Sequence, residues 1–105
     1  MRMKKQFLEK LIESSIDDRK KIRQTLEDDR TFQRCVPYQV KEVFYKLYDA
    51  SLDYNYRLLK DIKRTRTVEY TCSDIYEMYN ELDEKFLDFC FEIVDYYKIK
   101  GNILM

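Results

Sequence analysis

A chain of 105 residues has room for one domain and one core, and not for two lobes with a deep cleft between them. Charged residues make up 38% and hydrophobic residues 45%, too apolar for a disordered chain and too charged for a membrane-embedded one. Twenty basic residues balance twenty acidic ones, which is not the strong basic footprint of a nucleic-acid binder.

A single glycine, Gly101, and a single proline, Pro37, point to an all-α fold. Sheets and tight turns use these residues at special backbone angles, whereas long helices use them only near their ends. The start, Met1-Arg2-Met3-Lys4-Lys5, is basic but leads into a charged amphipathic stretch, so no secretory signal is expected. No apolar run is long enough to span a bilayer.

In chain order, the first helix is expected over residues 3–34. Phe7, Leu8, Leu11, Ile12, Ile16, Ile22 and Leu26 recur on one broad face. Ser15-Ile16-Asp17-Asp18 reads as a capping box that would divide this helix, although the apolar face stays in phase across it. Arg19 falls within the apolar face and is expected to reach its edge and keep its charge in water, or else to face a partner.

Pro37 opens a second helix over residues 37–63. Val40, Phe44, Leu47, Ser51, Tyr54, Leu58 and Ile62 alternate in steps of three and four, the seam of nearly parallel helix packing. Ser51 and Asn55 are polar intrusions of the kind that fix register. Residues 64–72 form the connection.

Thr71 or Ser73 caps a third helix over residues 73–99, with the seam Ile75, Tyr79, Leu82, Phe86, Phe89, Ile93 and Tyr96. Gly101 follows Lys98 and Lys100 as a helix stop. The expectation is a single domain over residues 1–105, an antiparallel bundle of three long helices, or four if the first breaks near Ser15.

Catalytic chemistry is poorly supplied. The absence of histidine removes imidazole acid–base catalysis, histidine-activated nucleophiles and the usual zinc and haem ligand sets. One glycine cannot build a phosphate-cradling loop. Cys35, Cys72 and Cys90 are odd in number and widely spaced, which argues for a reducing, cytoplasmic setting and for three small buried hydrophobes.

Glu81-Leu82-Asp83-Glu84 and Glu92-Ile93-Val94-Asp95 resemble the paired acidic motifs of the all-α nucleotide pyrophosphohydrolases, whose carboxylates converge on magnesium from separate antiparallel helices. Here both motifs fall on one helix, and Glu84 and Glu92 are about 12 Å apart along its axis. Carboxylates placed this way do not converge on a metal. No cofactor, no metal and no enzymatic activity are expected.

Charge is unevenly distributed: residues 1–34 and 35–68 each sum to +3, and residues 69–105 sum to −6. On a continuous third helix, Asp74, Glu77, Glu81, Glu84, Asp88, Glu92 and Asp95 fall within an arc of about 80°. Such a stripe is either a solvated face, partly balanced by the basic helices, or a face that docks on a basic surface. The same helix has a surplus of apolar residues, of which Phe91, Tyr96 and Tyr97 are the candidates for contact with a partner or a second copy.

Lys60, Lys63, Arg64 and Arg66 cluster at the end of the second helix, where cations complement the helix dipole and where a nucleic-acid contact is the alternative. Abundant Lys and Tyr with a single Ala suggest an AT-rich genome, as in many viruses and mobile elements. The expected function is a non-catalytic protein-binding module, in its sharpest form an inhibitor of a nucleic-acid-handling host protein. A homo-oligomeric structural subunit and a small nucleic-acid-binding accessory protein are the alternatives.

Overall fold

The computed structural model describes residues 2–78 and 80–100. The order of elements is β1 (Arg2–Lys4), α1 (Lys5–Glu27), α2 (Arg30–Cys35), α3 (Tyr38–Arg64), β2 (Glu69–Thr71), α4 (Cys72–Glu77) and α5 (Glu81–Tyr97). The three longest helices pack as expected. Both α1 and α5 run antiparallel to α3, in a body of 48 × 22 × 19 Å.

Helix α1 does not break at Ser15. It ends at Glu27, and Asp29 accepts a hydrogen bond from the Phe32 N–H to cap α2. The reason lies in phase. After Ile22 and Leu26, the next positions on the buried face are Asp29, Arg30 and Gln33, while the apolar residues are Phe32 and Val36. A break lets Phe32 turn inward, where its ring meets Phe44 edge-on at 5.6 Å. At the other end of α1, Phe7 and Leu11 lie off the buried face and are exposed.

The third expected helix also divides. Thr71 and Asp74 form a reciprocal capping box at the start of α4, and Asn80 caps α5 by accepting from the Leu82 N–H. Once separated from α4, α5 turns its buried face by about 50° from the expected seam, taking 100° per residue. Phe86, Cys90 and Ile93 are buried, whereas Leu82 and Tyr96 point outward; Tyr79 lies outside the described residues. Lys98, at φ 53°, provides the left-handed cap with an Ile99 N–H to Val94 C=O bond behind it. The residue assigned that role from sequence, Gly101, is outside the described residues.

A two-stranded antiparallel ribbon, absent from the sequence-based expectation, pairs Arg2 with Thr71, Met3 with Tyr70 and Lys4 with Glu69. Its strands are joined through α1 and α3 and not by a tight turn, so it needs no glycine. The ribbon ties the start of α1 to the end of α3, at one end of the pair. The Lys5 N–H donates to the Val68 carbonyl, and its ammonium donates to the Thr65 carbonyl at 2.8 Å, at the negative end of α3.

The core is in two parts. One holds Ile22, Leu26, Phe32, Phe44, Tyr48, Phe86, Cys90 and Ile93 where α1, α2, α3 and α5 meet. The other holds Leu8, Ile12, Ile16, Ile62 and Tyr70 beneath the ribbon and α4.

Candidate functional site

Between the two parts of the core lies a buried polar cluster that sets how α5 is presented. Arg19 is only 7% exposed, so its charge does not reach water at the edge of the bundle. Its Nε donates to Ser51 Oγ at 2.8 Å and to Asp83 Oδ1 at 3.3 Å, and its Nη1 donates to the Ser15 hydroxyl at 2.8 Å and the Ser15 carbonyl at 3.2 Å. The Ser51 hydroxyl also donates to Asp83, and the Asn55 amide donates to both Asp83 oxygens. A buried guanidinium is tolerable only with such partners.

Ser15, whose capping-box sequence offered the alternative of a break in a helix expected to be continuous, spends its hydroxyl on Arg19 and Asn55. Ser51 and Asn55, the polar intrusions in the α3 seam, both donate to Asp83 on α5. By directing Asp83 inward, the cluster fixes which face of α5 looks out.

That outward face carries Glu81, Glu84, Asp88, Glu92 and Asp95, all exposed and within about 80° of the helix circumference at 100° per residue. Among the described residues, Glu81, Asp88, Glu92 and Asp95 have no ion-pair partner. Phe91 sits at one margin of this arc and is 44% exposed. Lys85 and Tyr96 lie at the other, with Tyr96 80% exposed.

Glu81 and Glu84 belong to the first turn of α5, where the helix dipole favours anions. Asp95 lies in its last turn, where the dipole disfavours them, and that turn contains no basic residue. Helix stability does not account for the C-terminal half of the stripe.

Beside Tyr96 the surface opens into a groove of about 600 Å³ between α3 and α5, lined by Val40, Phe89, Glu92, Ile93, Asp95, Tyr96 and Tyr97. The Tyr96 ring stands edge-on against Tyr97 at 4.9 Å. Tyr97 is half-buried and packs against the core, so the three aromatic candidates do not form one patch: Phe91 flanks the acidic arc, and Tyr96 and Tyr97 line the groove.

Asp74 and Glu77 leave the stripe, because they belong to α4 and the break after Met78 destroys their phase with α5. Asp74 is occupied as the capping partner of Thr71, and hydrogen bonds from the Thr71 backbone and hydroxyl hold its carboxyl below the usual range. Lys60, Lys63, Arg64 and Arg66 are all exposed at the far end of the bundle. Lys63 pairs with Glu13 at 3.5 Å, and both Lys63 and Arg64 lie in the last turn of α3.

The sequence-based expectation that all three cysteines are buried holds for Cys90 alone. Cys35 and Cys72 are exposed. Burial pushes the Cys90 thiol up to about 12. Among the described residues no three Cys, Asp or Glu side chains are placed to share a metal ion, and no helix is long and apolar enough to cross a membrane. Sequence reasoning missed Asp83 as a positioning residue; its signal was its phase, three and seven residues before the buried Phe86 and Cys90 on one face of α5. Comparison with known proteins finds no matching family model, no matching curated protein and no matching solved structure.

Proposed function

We propose that this chain is a non-catalytic binding module that uses α5 to dock on a basic surface of a protein partner. The observation that carries this reading is the outward acidic face of α5, with exposed Phe91 at its margin and with Asp95 in the last turn, where the helix dipole opposes it. Like charges three and four residues apart destabilise an isolated helix by a few tenths of a kcal/mol per pair, so a purely structural face gains nothing from them. Five carboxylates along one ridge offer long-range attraction to cationic surfaces, and Phe91 offers a ring to bury on contact.

In its sharpest form the partner's basic surface is one that otherwise holds nucleic acid, and the chain acts as a competitor for it. The immobilised protein should then capture a partner from extract of its host cell, and duplex DNA or RNA should release that partner. The triple variant Glu81→Lys, Glu84→Lys, Asp88→Lys should lose capture while its circular dichroism stays helical. Undiminished capture by that variant would sink the proposal. Homo-oligomerisation is the second reading, favoured by the exposure of Phe91 and Tyr96. It requires a concentration-dependent mass in light scattering, and a monomer at high concentration rules it out.

A further inference from the structure

We propose that the groove between α3 and α5 receives a basic amphipathic helix of the partner protein, an inference that rests on reading α5 as the docking element. The floor of the groove is apolar, formed by Val40, Phe89, Ile93 and Tyr97, with the exposed Tyr96 ring as one lip. Its volume of about 600 Å³ is that of a ligand-sized site, and it extends over two turns of α5 from Phe89 to Tyr96. Two or three aliphatic side chains at i, i+3 and i+4 of an incoming helix match that shape.

The mode is helix-in-groove and not strand addition, because both walls are helices whose backbone groups are already paired. Charge determines the kind of helix. Glu92 and Asp95 form the rim, Asp88 and Glu81 continue the same ridge, and on the α3 side Lys46 is neutralised by Glu42 at 3.2 Å. Lysines or arginines flanking the apolar stripe of the incoming helix would therefore meet carboxylates, whereas an acidic helix, a nucleic acid or an anionic membrane would be repelled.

The test uses a labelled synthetic peptide of about five helical turns, with leucines at i, i+3, i+4 and i+7 and lysines elsewhere. A control peptide has the same composition with the leucines scattered around the helix. Fluorescence anisotropy should show the amphipathic peptide binding at least about tenfold more tightly than its scrambled control. Val40→Glu should weaken that binding about tenfold or more while Val40→Leu retains it, and Glu92→Lys with Asp95→Lys should shift preference to a Leu/Glu counterpart.

The stripe variant Glu81→Lys, Glu84→Lys, Asp88→Lys reverses charge on the ridge leading to the groove. It should weaken binding of the lysine peptide less than Glu92→Lys with Asp95→Lys does, because only Glu92 and Asp95 lie on the rim. Equal binding of the two lysine peptides, or binding indifferent to Val40→Glu, overturns the groove. If extract capture is still lost in the stripe variant, the docking role of α5 survives that failure. A dimer abolished by Val40→Glu would instead assign the groove to a second copy of the chain and equally overturn the proposal.

Discussion

The two ends of the bundle share the α1–α3 pair and differ in what covers it. At one end the cover is the β1–β2 ribbon, which contributes Tyr70, and the short helix α4; together they close over Leu8, Ile12 and Ile62. At the other it is α5, a full helix that seals Phe44, Tyr48 and Leu26 with Phe86, Cys90 and Ile93 and still leaves a groove at its flank. The closed end has its polar ends tied: Lys5 serves the last carbonyls of α3, and Lys63 pairs with Glu13. Among the described residues, Glu81, Asp88, Glu92 and Asp95 at the open end have no ion-pair partner, while exposed rings occur at both ends, Phe91 and Tyr96 here and Phe7 and Tyr76 at the other. The closed end is held by pairing of the chain with itself over a smaller core, whereas the α5 end holds the larger core and keeps an outer helix face turned to solvent.

The largest expected effect comes from emptying the core under α5. Phe86→Ala removes a fully buried ring that touches Phe44 at 5.7 Å and Tyr48 at 6.0 Å, and should cost about 3–5 kcal/mol by urea denaturation. Ile62→Ala at the closed end should cost less, about 2–4 kcal/mol, because a smaller group is lost. If Ile62→Ala proved the costlier of the two, the closed end and not α5 would hold the dominant core.

Arg19→Met tests the boundary between the two ends. It strands Asp83 with Ser51 and Asn55, and because the Asp83 side chain is 21% exposed the cost should be about 2–4 kcal/mol, somewhat below that of a fully buried pair. Adding Asp83→Leu should recover much of it, since the orphaned charge is then gone. The double variant should also lose the defined orientation of α5, which peptide binding in the groove would register.

Cys90 reports on the α5 core by pH. Its folded thiol ionises near 12 against an ordinary value of 9.0, so between those values the unfolded chain binds fewer protons than the folded one. Stability contributed by the neutral thiol is therefore fully present below pH 9 and is lost as pH rises toward 12, with a slope approaching about 1.4 kcal/mol per pH unit. Denaturant titrations across this range should show a steeper alkaline decline in the parent protein than in Cys90→Ala.

The smallest effect should come from the outer face. Asp88→Lys replaces like-charge neighbours at Glu84 and Glu92 with opposite-charge ones and should raise the midpoint of unfolding slightly, by a few tenths of a kcal/mol. A loss of stability on that change would mean that the stripe is structural, contrary to the docking role proposed for it.

Much of this architecture was legible in the residues. The three-four alternation of Val40, Phe44, Leu47 and Ser51 announced α3 and its partners, and the in-phase run from Leu8 to Leu26 kept α1 whole through Ser15. The exposed acidic positions Glu81 to Asp95 were also visible, because a charge run at helical spacing needs only local geometry. The division of the outer helices was less accessible. Asp29 and Asn80 are ordinary polar residues until a cap is needed, and the need arises from burying Phe32 and Phe86 elsewhere in the molecule. The β1–β2 ribbon was hidden for a related reason. Its two strands are 3 residues each and 65 positions apart, as Lys4 is from Glu69, too short for periodicity and too distant for a hairpin signal.

By itself, the sequence determined a helical class, the three principal helices and an acidic outer surface near the last of them, because these follow from backbone propensity and local spacing. Only the tertiary structure decided that Arg19 is buried with Asp83, that α5 is rotated away from its expected seam, and that Phe91 and Tyr96 face different surroundings. A buried charge must find its partners across helices, and a helix freed from its neighbour turns until its largest rings are out of water. Both are decided between elements, where no local pattern of residues can reach.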